Sequence, residues 1–130
     1  MNHTMEVKIY YEDTDCGGVV YYANYLRYME RGRTEYMNSR GAPVKELMDQ
    51  GTLFIIGRVE IDYRSSARYG ETLLIETWVS EMTGATLTFS HSMKEKATGR
   101  LIAESRAKAV CVDSHVKPKR LPKDIADMLR

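Results

Sequence analysis

Beyond Gly51 the chain abandons a helical repeat and alternates every second residue through four successive runs. Leu53 to Tyr63 sets Val59, Ile61 and Tyr63 against Arg58, Glu60 and Asp62; Thr72 to Met82 is a second run. In the third, Ala85, Leu87, Phe89, His91 and Met93 alternate with Thr86, Thr88, Ser90 and Ser92; Leu101 to Asp113 is the last. A period of two puts neighbouring side chains on opposite faces of a strand. At about eleven residues each, the strands would be roughly 35 Å long, near the upper end for globular proteins. Thr83-Gly84 and Ala97-Thr98-Gly99-Arg100 read as turns, so the strands pair antiparallel. Gly57 predicts a bulge.

A sheet this long has an apolar face that must be covered. The cover is a helical pattern from about Ala23 to Arg40. Tyr22, Tyr25, Met29, Gly32 and Tyr36 form one stripe, widened by Leu26 and Met37, with Arg27, Glu30, Arg31, Thr34 and Asn38 mostly opposite. Arg27/Glu30 and Arg31/Glu35 are spaced for surface ion pairs of about 0.2–0.5 kcal/mol each. Gly32 costs the helix about 1 kcal/mol relative to alanine, and close approach of another backbone is the expected return. The odd face of the last strand (Leu101, Ala103, Ser105, Ala107, Ala109 and Cys111) is small enough for a bulky helix to lie against it. Gly41 ends the long helix, and Pro43 opens a short one over Val44 to Gln50. An alternating strand, Met5 to Tyr11, precedes the long helix, and a short helix, Asp124 to Arg130, closes the chain. The expected architecture is α+β: five antiparallel strands curled around one long central helix, as a single domain over residues 1–130.

Several function classes fall away on totals. A net charge of +1 gives no global case for nucleic acid or an anionic membrane. No run of about 18 apolar residues predicts a membrane span, and the first residues lack a secretory signal. Cys16 and Cys111 form no C-x-x-C, which fits a reduced, cytoplasmic protein, and His3, His91 and His115 lack ligand spacing, so no metal or cofactor is expected.

The chemistry concentrates between Tyr11 and Asn38. Glu12, Asp13 and Asp15 end the first strand; Gly17-Gly18 makes a tight loop, and the long helix begins just after. A helix start carries unsatisfied N–H groups and partial positive charge, so a carboxylate beside it suits chemistry on a polarised carbonyl.

These residues carry a family resemblance. Y-E-D-T-D-C-G-G-V-V-Y-Y-A-N-Y at Tyr11–Tyr25, Y-M-E-R-G-R-T-E at Tyr28–Glu35, V-C-V-D at Val110–Asp113 and K-P-K-R-L-P at Lys117–Pro122 resemble the hotdog-fold acyl-CoA thioesterases. The branch is that of 4-hydroxybenzoyl-CoA thioesterase and the bacterial Tol–Pal-associated thioesterases. The resemblance implies hydrolysis of an acyl-CoA to free acid and CoA, homodimers often paired as dimers of dimers, and a site built from two chains. It places the catalytic carboxylate on Asp15 and the carbonyl-polarising donor on the backbone N–H of Tyr22. The Tol–Pal branch usually has histidine where this chain has Tyr22, whereas the 4-hydroxybenzoyl branch has tyrosine there and asparagine at Asn24. Short aliphatic and aromatic acyl groups both stay open.

Each assignment has a plainer reading. Asp15 can attack the carbonyl or deprotonate a water, or it can simply cap a turn; the motif favours catalysis. Glu12 and Asp13 are assigned to local structure. Asn24 either holds the loop or orients the water, or caps the helix. Cys16 has no evident histidine partner and is read as a spectator, and His91 as a satisfied buried side chain. Lys117, Lys119 and Arg120 form a compact positive patch, for CoA phosphates or merely a solvated tail. A hydroxyacyl dehydratase would carry a histidine in the Asp15 loop, which has none. A non-catalytic acyl-CoA sensor or scaffold remains the alternative to an enzyme.

Overall fold

In the computed structural model, residues 2–130 are described. The elements are β1 (His3–Lys8), a 3-10 turn at Tyr11–Asp13, α1 (Asn24–Ser39), α2 (Val44–Asp49), β2 (Leu53–Tyr63), β3 (Thr72–Met82), β4 (Thr86–Glu95), β5 (Leu101–Val112) and α3 (Lys123–Leu129). The long strands keep their expected limits to within one or two residues because strict alternation leaves one register that buries the apolar face. They form one five-stranded antiparallel sheet in the order β1-β3-β4-β5-β2. Gly57 sits in the register break between Ile56 and Arg58, as a bulge.

α1 lies on the inner face of this sheet, the hotdog arrangement. Its first half packs Tyr25, Tyr28 and Met29 on Ile75, Met93, Ala103 and Ala107. Its second half packs Tyr36 and Met37 on Leu87, Phe89, Ala109 and Cys111, where Ile125 and Leu129 of α3 close the end. The small face of β5 is buried as expected, with Ala103, Ala107 and Cys111 fully covered. Between the two clusters runs a polar row, Thr77, His91 and Ser105, paired across β3, β4 and β5. All three are buried, and Thr77 Oγ1 lies 3.0 Å from His91 Nδ1.

Four sequence expectations need correction. β1 starts earlier and stops at Lys8, because Asp13 Oδ2 accepts the Tyr10 N–H (2.8 Å) and folds Tyr11–Asp13 into a turn. The buried stripe of α1 is Tyr25, Tyr28, Met29, Gly32, Tyr36 and Met37. Tyr22 and Leu26 are exposed instead, because regular helix starts only at Asn24 and sets the phase there. Gly32 approaches side chains, not a backbone: a Cβ there would stand 2.6 Å from Thr77 Oγ1 and 3.2 Å from Ile75 Cγ2. Neither expected ion pair on α1 forms among the described residues; Glu30 accepts the Thr34 hydroxyl at 3.3 Å.

β2 is an edge strand with apolar side chains exposed on both faces, Ile55, Ile56 and Val59 each between 37% and 39%. No helix among the described residues is long and apolar enough to cross a membrane.

Candidate active site

The Asp15 loop is a small hairpin. Thr14 and Val20 pair as an isolated bridge, the Asp15 N–H donates to Val19 O (2.9 Å), and the Gly18 N–H donates to Asp15 O (3.1 Å). Gly18 has φ +79°, which glycine adopts without steric cost. At Gly17 the N–H donates to Asp15 Oδ1 at 2.8 Å, and an added Cβ would stand 3.2 Å from that oxygen. Asp15 is thus oriented through one oxygen. Its Oδ2 has no partner among the described residues, and the side chain is exposed.

The same hairpin delivers the start of α1. The Tyr21 N–H donates to Asp13 O (2.9 Å), and the Asn24 N–H to Tyr21 O (2.8 Å). The Asn24 side chain donates to Asp13 O at 3.0 Å, with Asp13 Oδ1 at 3.5 Å. Asn24 therefore ties helix to loop; the cap position belongs to Ala23, which has no side-chain bond. The Tyr22 amide N–H has no acceptor among the described residues. Tyr22 O accepts the Tyr63 hydroxyl of β2 at 3.2 Å, and the Tyr63 ring packs edge-on against Tyr25. Asp15, Tyr22 and Asn24 are brought together on one hairpin and helix start.

A support missing from the sequence reading is the segment between β2 and β3. Ala67 O accepts the Val20 N–H (2.8 Å), Arg68 bridges Val19, and the Ala67 N–H donates to the buried Tyr25 hydroxyl (3.2 Å). Arg100 donates to both Glu71 carboxylate oxygens (3.0 and 3.1 Å) and to Ser66 O (3.0 Å), fastening this segment to the β4–β5 turn. Nothing in a polar connection between strands marks such long-range partners; only Tyr25, apolar in pattern yet carrying a hydroxyl, hinted at a buried acceptor.

The expected compact basic patch divides. Residues 117–119 run back along the end of β5, where Asp113 Oδ1 accepts the His115 and Lys117 N–H groups (2.9 and 3.0 Å). The Lys117 bond, more than any other interaction, holds the Asp113 carboxyl below its usual range. Lys119 Nζ bonds Thr52 Oγ1 (2.8 Å) and Gly51 O (3.3 Å) just before β2. Arg120 turns the other way, beside Gly84, into a depression it shares with Lys123 and Arg130. Successive residues of an extended segment point to opposite sides, which separates Lys119 from Arg120.

Cys16 is exposed and Cys111 buried. His91 faces inward, as expected. Burial, aided by the nearby Arg33 charge, pushes its pKa down to about 3, so the ring is neutral, and its Nε2 has no partner among the described residues. Half of the satisfied-histidine reading holds.

Residues 10–129 match the thioesterase-like superfamily. The acyl-CoA thioesterase YbgC of Haemophilus influenzae is 38% identical over 121 residues, covering 92% of this chain and 88% of that protein. The acyl-CoA thioester hydrolase YbgC of Escherichia coli O6:H1 is 37% identical over 129 residues, 96% of both chains. Among solved structures, a 4-hydroxybenzoyl CoA thioesterase, an aspartate-to-asparagine mutant complexed with 4-hydroxybenzoyl CoA, superposes with a TM-score of 0.91 at 21% identity, over 99% of each chain. On a family match spanning nearly the whole sequence, joined to the hotdog sheet and helix, the chain belongs to the thioesterase-like superfamily and is a hotdog-fold thioesterase.

Proposed function

We propose that this thioesterase hydrolyses short-chain aliphatic or aromatic acyl-CoA to the free acid and CoA, with Asp15 and the Tyr22 amide as its working parts. One observation carries the reading: a carboxylate with a free oxygen and an unpartnered helix-start amide stand on the same hairpin. Asp15 Oδ2 takes a proton from water as the resulting hydroxide adds to the thioester carbon. The developing oxyanion is stabilised by the Tyr22 N–H and the α1 dipole, and the C–S bond then breaks to release CoA thiolate, which is reprotonated. Direct attack by Asp15 would instead give an anhydride that water opens. Asn24 acts through position, holding the Asp13 carbonyl and with it the loop. The names of the relatives, both acyl-CoA thioesterases, support the substrate class. So does the solved complex of an aspartate-to-asparagine thioesterase mutant with its acyl-CoA.

Of the basic residues, Lys117 and Lys119 are the proposed holders of the CoA phosphates, Arg120 being turned to the other side of the segment, and the location of Lys119 calls for a second copy. Lys119 lies at the start of β2, whereas Tyr22 bonds Tyr63 at its end. Eleven residues of strand separate them, roughly 33 Å. An isologous dimer joined antiparallel along the exposed β2 edge brings the basic segment of one copy towards the Asp15 loop of the other. Such dimers would pair again as a dimer of dimers.

The test is release of CoA thiol from acetyl-, butyryl-, hexanoyl-, benzoyl- and 4-hydroxybenzoyl-CoA. Asp15→Asn is expected to lower kcat at least about 100-fold, the range of a lost general base, with fold and oligomer size unchanged. Full activity in that variant would end the assignment of Asp15.

A further inference from the structure

Arg33 stands out among the charges the proposed chemistry leaves unused. It projects from the middle of α1 and is half-buried; burial lowers its pKa, and Glu30 only partly offsets this. Yet no hydrogen bond or ion pair within 4.0 Å reaches its guanidinium among the described residues. Glu30 is exposed and engaged with Thr34. A desolvated guanidinium without a partner is costly, and such groups mark sites where an anion or acceptor is received.

What Arg33 faces is a cavity of about 240 Å³ between α1 and β2. Glu30 and Thr34 of α1 share its polar rim with Arg33, and the rest of its wall is apolar, from Met37 and Val44 to Phe54, Ile56, Phe89 and Ala109. The volume suits a short chain or one ring, at about 30 Å³ for a unit the size of a water. Arg33 comes eleven positions after Tyr22, roughly 16 Å along a helix axis at about 1.5 Å per residue. Its side chain leans back towards the helix start, which shortens the span to the order of 10 Å. A six-carbon chain, advancing roughly 1.3 Å per bond and ending in a charge-assisted hydrogen bond of about 2.8 Å, covers that distance.

Building on the thioesterase reading, we propose that the α1–β2 cleft takes the acyl chain and that Arg33 selects acyl groups ending in a carboxylate, the monothioesters of short dicarboxylic acids. A planar guanidinium receives a carboxylate through two hydrogen bonds, in a cavity whose inner wall is apolar and whose one acidic neighbour, Glu30, is exposed and bonded to Thr34. A methyl-ended chain of equal length leaves the guanidinium desolvated and unpaired.

The experiment compares kcat/KM for adipoyl-CoA and hexanoyl-CoA, two six-carbon thioesters differing at the far end. The expected wild-type ratio is at least about tenfold in favour of adipoyl-CoA. Arg33→Met, which keeps the bulk, should reverse the preference while hexanoyl-CoA turnover holds or improves; Arg33→Lys should retain part of it. Turnover of hexanoyl-CoA without that wild-type preference overturns the inference and leaves the thioesterase reading standing. An equal loss on both substrates in Arg33→Met, with the dimer dissociated, assigns the guanidinium to the subunit interface and also overturns it. If Arg33→Met does not fold, the wild-type ratio alone decides. Failure to hydrolyse any thioester in the wider panel removes both readings.

Discussion

Replacing Gly32 with alanine should destabilise this protein, against the ordinary expectation for a helix interior. On propensity alone the change gains about 1 kcal/mol. Here the new methyl would stand 2.6 Å from Thr77 Oγ1 and 3.4 Å from His91 Nδ1, the two atoms already joined across 3.0 Å. Neither can step aside cheaply, since Thr77 and His91 are each at most 1% exposed. Overpacking costs about 1–3 kcal/mol, and parting a buried hydrogen bond about 1–3 kcal/mol more. Set against the helix gain, the net loss is about 1–5 kcal/mol. Urea unfolding at fixed protein concentration reads it as a lower midpoint at unchanged slope. The companion variant Thr77→Ala removes the oxygen in the way. In that background Gly32→Ala should cost little or stabilise, giving a coupling of at least about 1 kcal/mol. A gain of about 1 kcal/mol from Gly32→Ala in the wild-type background would refute the close-approach account.

Three further outcomes follow from the same contacts. His91, with its pKa down at about 3 in the fold against about 6.5 when unfolded, opposes folding once protonation begins: stability should be full above pH 6.5 and fall by up to about 1.4 kcal/mol per pH unit towards pH 3. NMR titration checks it directly, and an imidazole titrating near 6.5 would contradict the buried, neutral assignment. Asp113→Ala frees residues 115–117 from their carboxylate anchor, so KM for acyl-CoA should rise about tenfold with kcat nearly unchanged, in steady-state assays. Val59→Lys places a charge on the exposed β2 edge; sedimentation should show dissociation to monomers, with activity lost alongside.

The local rules of the chain were legible in the sequence. Alternation fixed β2 to β5 because a slip of one residue would turn every apolar side chain outward. The small odd face of β5 announced a bulky helix, and Gly57 its bulge. The Asp15 loop and the start of α1 are neighbours in sequence, so the candidate site was legible too. Long-range partners were not. The strap at Ala67, its Arg100–Glu71 fastening and the Tyr63–Tyr22 bond join residues 29 to 47 positions apart, and no local pattern records such pairs. The phase of α1 depended on where the hairpin released the chain, which exposed Tyr22 and buried Tyr28. Sequence could place Arg33 only on a helix. The half-buried state of its guanidinium, without a hydrogen bond or ion pair among the described residues, at the wall of a cavity that α1 shares with β2, β4 and β5, arises only once the helix is laid on the sheet, and burial is a property of the packed chain.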